Sequence, residues 1–185
     1  MNLPNTVGGR ERLRLFCALT LPADVRDALA AWQRYSLRCH ARLIERADLH
    51  LTLAYLGHRP EAELRTIAES LGEAARSLDG PIVLSPLRYR ETRSVAMLVL
   101  TDEHGRAERL ALDVHERLER LGVYEREARR WLPHVTVLRF QSPPGLRPPV
   151  PAVSPFSPSE AAVYHSLLVP GGAKYEVLES VPLGG

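Results

Sequence analysis

His50-Leu51-Thr52-Leu53 and His134-Val135-Thr136-Val137 are two copies of one phrase, in a chain whose halves otherwise share no repeat. Side chains alternate between the faces of an extended strand. Each His and the Thr two residues later therefore point one way, while the aliphatic residues anchor the other face in a core. Each copy presents one imidazole and one hydroxyl to a common surface. Imidazole gives or takes a proton near neutral pH, and a hydroxyl beside it can hydrogen-bond an anion. Two such pairs facing one cleft would form an acid and base set suited to phosphate esters.

A single His-x-Thr would mean little, since a His or a Thr on a half-buried strand needs no special role. With seven Thr among 185 residues, a given His has roughly a 4% chance of a Thr two places on. Aliphatic residues at both remaining positions of both copies make coincidence remote. His40, His58, His104, His115 and His165 lack the pattern and read as ordinary surface or internally satisfied side chains.

The elements that must carry these phrases follow from periodicity and punctuation. Leu13 to Thr20 reads as a central strand, and Pro22 opens a helix with Val25, Leu29 and Trp32 on one face. The first motif strand runs from about Leu49 to Leu56 and is expected to stop at Gly57. A helix from near Pro60 carries the stripe Leu64, Ile67, Leu71 and Leu78 and ends at Gly80-Pro81. Ile82 to Arg90 and Ser94 to Leu100 read as a hairpin around Glu91-Thr92-Arg93. A third helix, from about Glu103 to Leu121, turns Leu110, Val114, Leu118 and Leu121 inward and ends at Gly122. The second motif strand occupies about His134 to Phe140. Seven prolines between Gln141 and Ser159 forbid helix or central strand and predict a surface loop. Two closing strands, about Ala161 to Leu168 and Tyr175 to Val181, flank Pro170-Gly171-Gly172. Helices interleaved with hairpins favour α+β over a doubly wound sheet. One motif strand in each half suggests two similar lobes with a cleft between them.

Composition narrows the function classes. The length suits one domain of two closely packed lobes, residues 13–185, after a flexible segment over residues 1–12. No apolar run approaches the length of a membrane span. Residues 1–12 lack the apolar centre of a signal peptide, so a cytoplasmic protein is expected. Cys17 and Cys39 have neither metal-site nor disulfide spacing and are expected to be reduced and inert. All 24 basic residues but Lys174 are Arg, whose forked donors suit phosphate. The net charge of +2 is too small for nonspecific coating of long nucleic acid, though a local pocket for a nucleotide end remains open.

The motif residues and their surroundings resemble the two-histidine phosphoesterases, in particular the RNA 2',3'-cyclic phosphodiesterases historically called 2'-5' RNA ligases. The resemblance runs through Arg14-Leu15-Phe16-Cys17-Ala18-Leu19 with Leu21-Pro22, through Leu49 to Gly57 with Tyr55 where Phe is usual, and through Pro133 to Arg139. It continues in Tyr164-His165-Ser166-Leu167 and Gly172 to Leu178. It implies a bilobal, pseudo-twofold fold with antiparallel sheets lining a central cleft and helices outside. It further implies hydrolysis of RNA 2',3'-cyclic phosphate ends to 2'-phosphate ends; a monomer without cofactor is expected. By the same resemblance His50 donates a proton to the departing 3' oxygen, His134 activates water, and Thr52, Thr136 and Arg139 bind the phosphate. The symmetry of the two phrases cannot itself assign acid and base.

The residues alone leave alternatives. Arg139 stands five residues after His134, an odd offset that puts it on the opposite strand face unless a bulge intervenes. Arg126, Arg129 and Arg130 read as a solvated face rather than an RNA contact, and Trp131 and Tyr35 as core or rim packing rather than base-stacking platforms. A module that binds an RNA end or nucleotide with little turnover, 2'-5' ligation, or cleavage of 2'-5' linkages or of small cyclic nucleotides such as a nucleotide 2',3'-cyclic phosphate would use the same cleft. Two His beside Thr make a poor metal set.

Overall fold

The structure, a computed structural model, describes residues 12–183. The segment expected to be flexible lies outside them, except for Arg12, the first residue of β1 (Arg12–Thr20). Strands β3 (His50–Pro60), β7 (Glu160–Val169) and β8 (Gly172–Pro182) join β1 in an antiparallel sheet ordered β3-β1-β7-β8. A second antiparallel sheet, ordered β2-β6-β5-β4, contains β2 (Arg42–Leu43), β4 (Leu84–Glu91), β5 (Val95–Asp102) and β6 (His134–Arg139). The α+β expectation holds, and each sheet carries one His-x-Thr strand. The sheets do not follow the halves of the sequence: β7 and β8 return to the first, and β2 joins the second.

Three helices cover the sheets. In α1 (Ala23–Ser36) the expected face is buried through Val25, Leu29 and Trp32. Helix α2 (Leu64–Arg76) packs on β7 and β8 through Ile67 and Leu71, and α3 (Arg106–Arg120) packs on β3 and β5. One continuous core joins Leu19 and Leu51 of the first sheet to Leu98 and Val135 of the second. The prolines give the expected loop, fastened by Trp32 Nε1 donating to Pro149 O at 2.8 Å and by an isolated bridge between Leu84 and Phe156. Cys17 and Cys39 are free thiols, and burial pushes Cys17 up to about 12.

Several boundaries differ from expectation for local reasons. The first motif strand passes through Gly57, which takes φ +68° at an irregularity opposite Leu15 and Phe16 instead of ending the strand. A 3-10 turn over Glu61–Glu63 precedes α2, which stops at Arg76, before Gly80. Leu121 is exposed, not inward. Gly122 at φ +68° reverses the chain, its N–H and that of Val123 close on Glu119 O and Leu118 O, and Val123 takes the buried place.

Candidate active site

Both motif strands are bent in the same way. Along β3, Ala18 pairs with Thr52 but Cys17 pairs with Ala54, leaving Leu53 as an extra residue. Along β6, Met97 pairs with Thr136 and Ala96 with Leu138, so Val137 is extra. A bulge shifts every later side chain to the other face. Leu53 and Ala54, then Val137 and Leu138, are consecutive buried residues, and Tyr55 and Arg139 turn outward with the motif His and Thr. The odd offset of Arg139 is resolved, and Tyr55 is its counterpart in the first strand.

Each bulge is held from beneath by a buried polar side chain of a helix. Gln33, 1% exposed on α1, donates to Val137 O at 2.7 Å and to Ile44 O at 3.1 Å. His115, 4% exposed on α3, donates from Nε2 to Leu53 O at 2.8 Å. Val137 O accepts from Ile44 N as well, at 3.1 Å, and hydrogen bonds to buried carbonyls contribute to stability, so these two side chains help to hold the irregular backbone that aims Tyr55 and Arg139.

The two motif imidazoles are held identically. His50 Nδ1 lies 2.7 Å from Asp48 O, and His134 Nδ1 lies 2.7 Å from Leu132 O. A carbonyl can only accept, so each Nδ1 carries the hydrogen and Nε2 is left for chemistry. Their surroundings differ. His50 is enclosed by Phe16, Tyr164 and Tyr175, with ring centroids at 4.8, 5.8 and 5.0 Å. Burial there pushes its pKa down to about 4, opposed by the Asp48 carbonyl and reinforced by Arg139 and His134. His134 is also lowered, again by burial first. The Asp48 carboxylate accepts from Tyr175 N at 3.3 Å, which fixes one wall of this enclosure.

His50 opens on a hollow of about 300 Å³ lined also by Thr52, Tyr55, Arg14, Arg42 and Arg139. His134 opens on a larger one of about 790 Å³, bordered by Thr52, Tyr55, Trp131 and Arg129. Thr52 and Tyr55 are walls of both, so the hollows are two compartments of one cleft. Thr136 is half-buried on β6 and lines neither. Such an arrangement can bind an anion between two neutral imidazoles and move protons on either side of it.

The profile of the 2'-5' RNA ligase superfamily matches residues 21–168. The chain belongs to this superfamily. It is 30% identical over 182 residues to an RNA 2',3'-cyclic phosphodiesterase of Thermus thermophilus, covering 94% of this chain and 91% of that one. It is 27% identical over 170 residues to an Escherichia coli protein of the same name, covering 91% and 96%. The structure superposes on E. coli LigT complexed with 3'-AMP with a TM-score of 0.80 at 23% identity, covering 95% of this chain and all of that one. A crystal structure of a T. thermophilus protein gives a TM-score of 0.74 at 29% identity, covering 92% and 98%. The resemblance drawn from the motifs therefore holds, and this member of the superfamily is a phosphoesterase.

Against that membership, the structure brings His50, Thr52, His134 and Arg139 to the lining of the cleft, and the expected Thr136 is not part of that lining. Of the basic group, Arg126 pairs with Glu119, Arg129 with Glu127 and Arg130 with Glu108, but all three border the hollow of His134, so the expected solvated face is part of the cleft wall. Trp131 is half-buried and donates to Thr52 O at 3.2 Å, whereas Tyr35 is exposed rather than packed. Sequence reasoning missed Gln33 and His115, which carry no motif, and the aromatic enclosure of His50, assembled from β1, β7 and β8. Among the described residues, no group of three or more His, Cys, Asp or Glu is placed to hold a metal, and no helix is long and apolar enough to cross a membrane.

Proposed function

We propose that this phosphoesterase hydrolyses RNA 2',3'-cyclic phosphate ends to 2'-phosphate ends by acid and base catalysis with His50 and His134, without a metal. The reading is supported most by the paired imidazoles, each with Nδ1 tied at 2.7 Å to the carbonyl two residues upstream and Nε2 free. The names of the T. thermophilus and E. coli relatives support the substrate class.

In the reaction, His134 Nε2 takes a proton from water as its oxygen bonds to phosphorus. His50 Nε2 gives a proton to the 3' oxygen as the P–O3' bond breaks, leaving a 2'-phosphate monoester and a 3'-hydroxyl. Positioned proton transfer of this kind contributes about 10²–10⁴-fold. Thr52 holds a nonbridging oxygen and Arg139 stabilises charge growing on it; Thr136, which lines neither hollow, takes the same role by family resemblance alone. The assignment of donor and acceptor follows the family resemblance. It requires a proton to return to His50, which burial keeps neutral in the free protein, and the bound phosphate anion supplies the charge that does so. Imidazole and hydroxyl groups alone make a poor set for a divalent cation.

Incubation of the purified protein with a short RNA bearing a cyclic end, in chelator, tests the reading. Addition of one water to the RNA is expected. An intact end despite tight binding would favour a binding module, and joined RNA as the main product would favour ligation.

A further inference from the structure

We propose that Arg14 and Arg42 form a second anion seat beside His50, which takes the phosphate on the 5' side of the terminal nucleotide while the reacting phosphate lies between the histidines. Arg42 on β2 is set directly opposite Arg139 on β6, and like charges paired across strands repel. Among the described residues neither has an ion-pair partner, nor has Arg14; other Arg side chains are also unpaired, but these three are the Arg residues in the lining of the hollow. Asp48 is close enough to feel Arg42 but makes no salt bridge to it. Three guanidinium groups thus converge on one hollow of about 300 Å³ with no carboxylate in its lining.

The scaffold aims them. Arg14 Nε donates to the Tyr55 hydroxyl, and its guanidinium stands 5.4 Å from the Tyr55 ring centroid. Its two terminal nitrogens are left for a ligand. Arg42 Nη2 donates to Ala173 O at 3.3 Å. The guanidinium lies across Gly172, where a Cβ would fall 1.0 Å from Nη1. A residue with a side chain at 172 would displace Arg42, and glycine there, at φ +137°, keeps the place open. Arg139 belongs to the reacting phosphate under the proposed function, so two cations remain for another anion. An RNA end offers one, the phosphate at the 5' side of its last nucleotide, as diester in a chain or monoester in a single nucleotide. Forked guanidinium donors suit either form.

This inference rests on the reading that the cleft takes an RNA end, but binding tests it without turnover. Calorimetry on the whole chain would compare adenosine 2'-phosphate with adenosine 2',5'-bisphosphate, which differ only in the second phosphate. The bisphosphate should bind at least about tenfold more tightly, and Arg14→Gln with Arg42→Gln should shrink that ratio to within about twofold. Gly172→Ala, which displaces Arg42 while keeping both charges, should reduce it as well. Equal affinities in the unaltered protein, or a ratio untouched by the double substitution, would overturn the proposal. Failure to hydrolyse a cyclic end would count against the proposed reaction alone.

Discussion

His50 and His134 share one tether and differ in what surrounds them, and their titration follows from that difference. Three aromatic rings around His50 disfavour its charged form, so the folded protein holds it neutral well below the usual imidazole range. Unfolding releases it to titrate near 6.5. A group whose folded pKa is depressed gives its full stability above the unfolded value and loses it as pH falls toward the folded one. Chemical denaturation should therefore show stability falling between pH 6.5 and about 4, with part of the slope removed in His50→Gln; an unchanged slope in that variant would contradict the enclosure's role. Because both histidines are lowered, binding of a phosphate ligand near pH 6.5 should take up protons. Calorimetry in buffers of different ionisation enthalpy would detect this uptake, and its absence would mean that the anion does not reach either ring. The His-x-Thr pair was legible in the sequence at this scale because its chemistry is local. The enclosure was not, since Phe16, Tyr164 and Tyr175 are distant in sequence and meet only through strand pairing.

A bulge at the third residue after each histidine makes the two strands alike in geometry. Periodicity of two, read strictly, sent Arg139 to the wrong face. The extra residue appears as paired aliphatics, Leu53-Ala54 and Val137-Leu138, a signal that could have revealed it. What holds the bulges could not have been read, because Gln33 and His115 sit in ordinary helix positions and act on strands far away in sequence. Gln33→Met keeps the volume and removes the donor. It should cost about 1–3 kcal/mol through the weakened satisfaction of Val137 O and Ile44 O, and should also lower turnover through misplaced Arg139. Denaturant melts and steady-state kinetics on the same variant separate the two effects. A stability loss with unchanged kcat and KM would make Gln33 a purely structural residue. Helix and strand identities were otherwise well marked. Boundaries moved where glycine did something other than stop an element, as at Gly57, or where a capping glycine handed the inward place from Leu121 to Val123.

The architecture of the whole molecule crosses the sequence halves. Strands β7 and β8 complete the sheet that carries His50, while β2 completes the one that carries His134. The first sheet is not closed until β7 and β8 are made, whereas the second is complete at Arg139, and an apolar core runs beneath both. Denaturation should accordingly be one cooperative transition, coincident by far-UV and near-UV circular dichroism; two separated transitions would mean that the lobes are independent units. The α+β class followed from element order. The exchange of strands between lobes did not, because short pairings such as Arg42–Leu43 with β6 leave almost no trace in a hydrophobic pattern. At this scale the cleft is where the two sheets bring their motif strands together, and the proposed function requires both imidazoles to act on one phosphorus atom. Mass analysis of a short RNA with a 2',3'-cyclic phosphate end, incubated in chelator with the unaltered protein and with His50→Ala and His134→Ala separately, tests that dependence most directly. The unaltered protein should add one water and leave a 2'-phosphate, and each substitution should slow this by about 10²–10⁴-fold. An unreacted end, or near-normal rates in either variant, would contradict it.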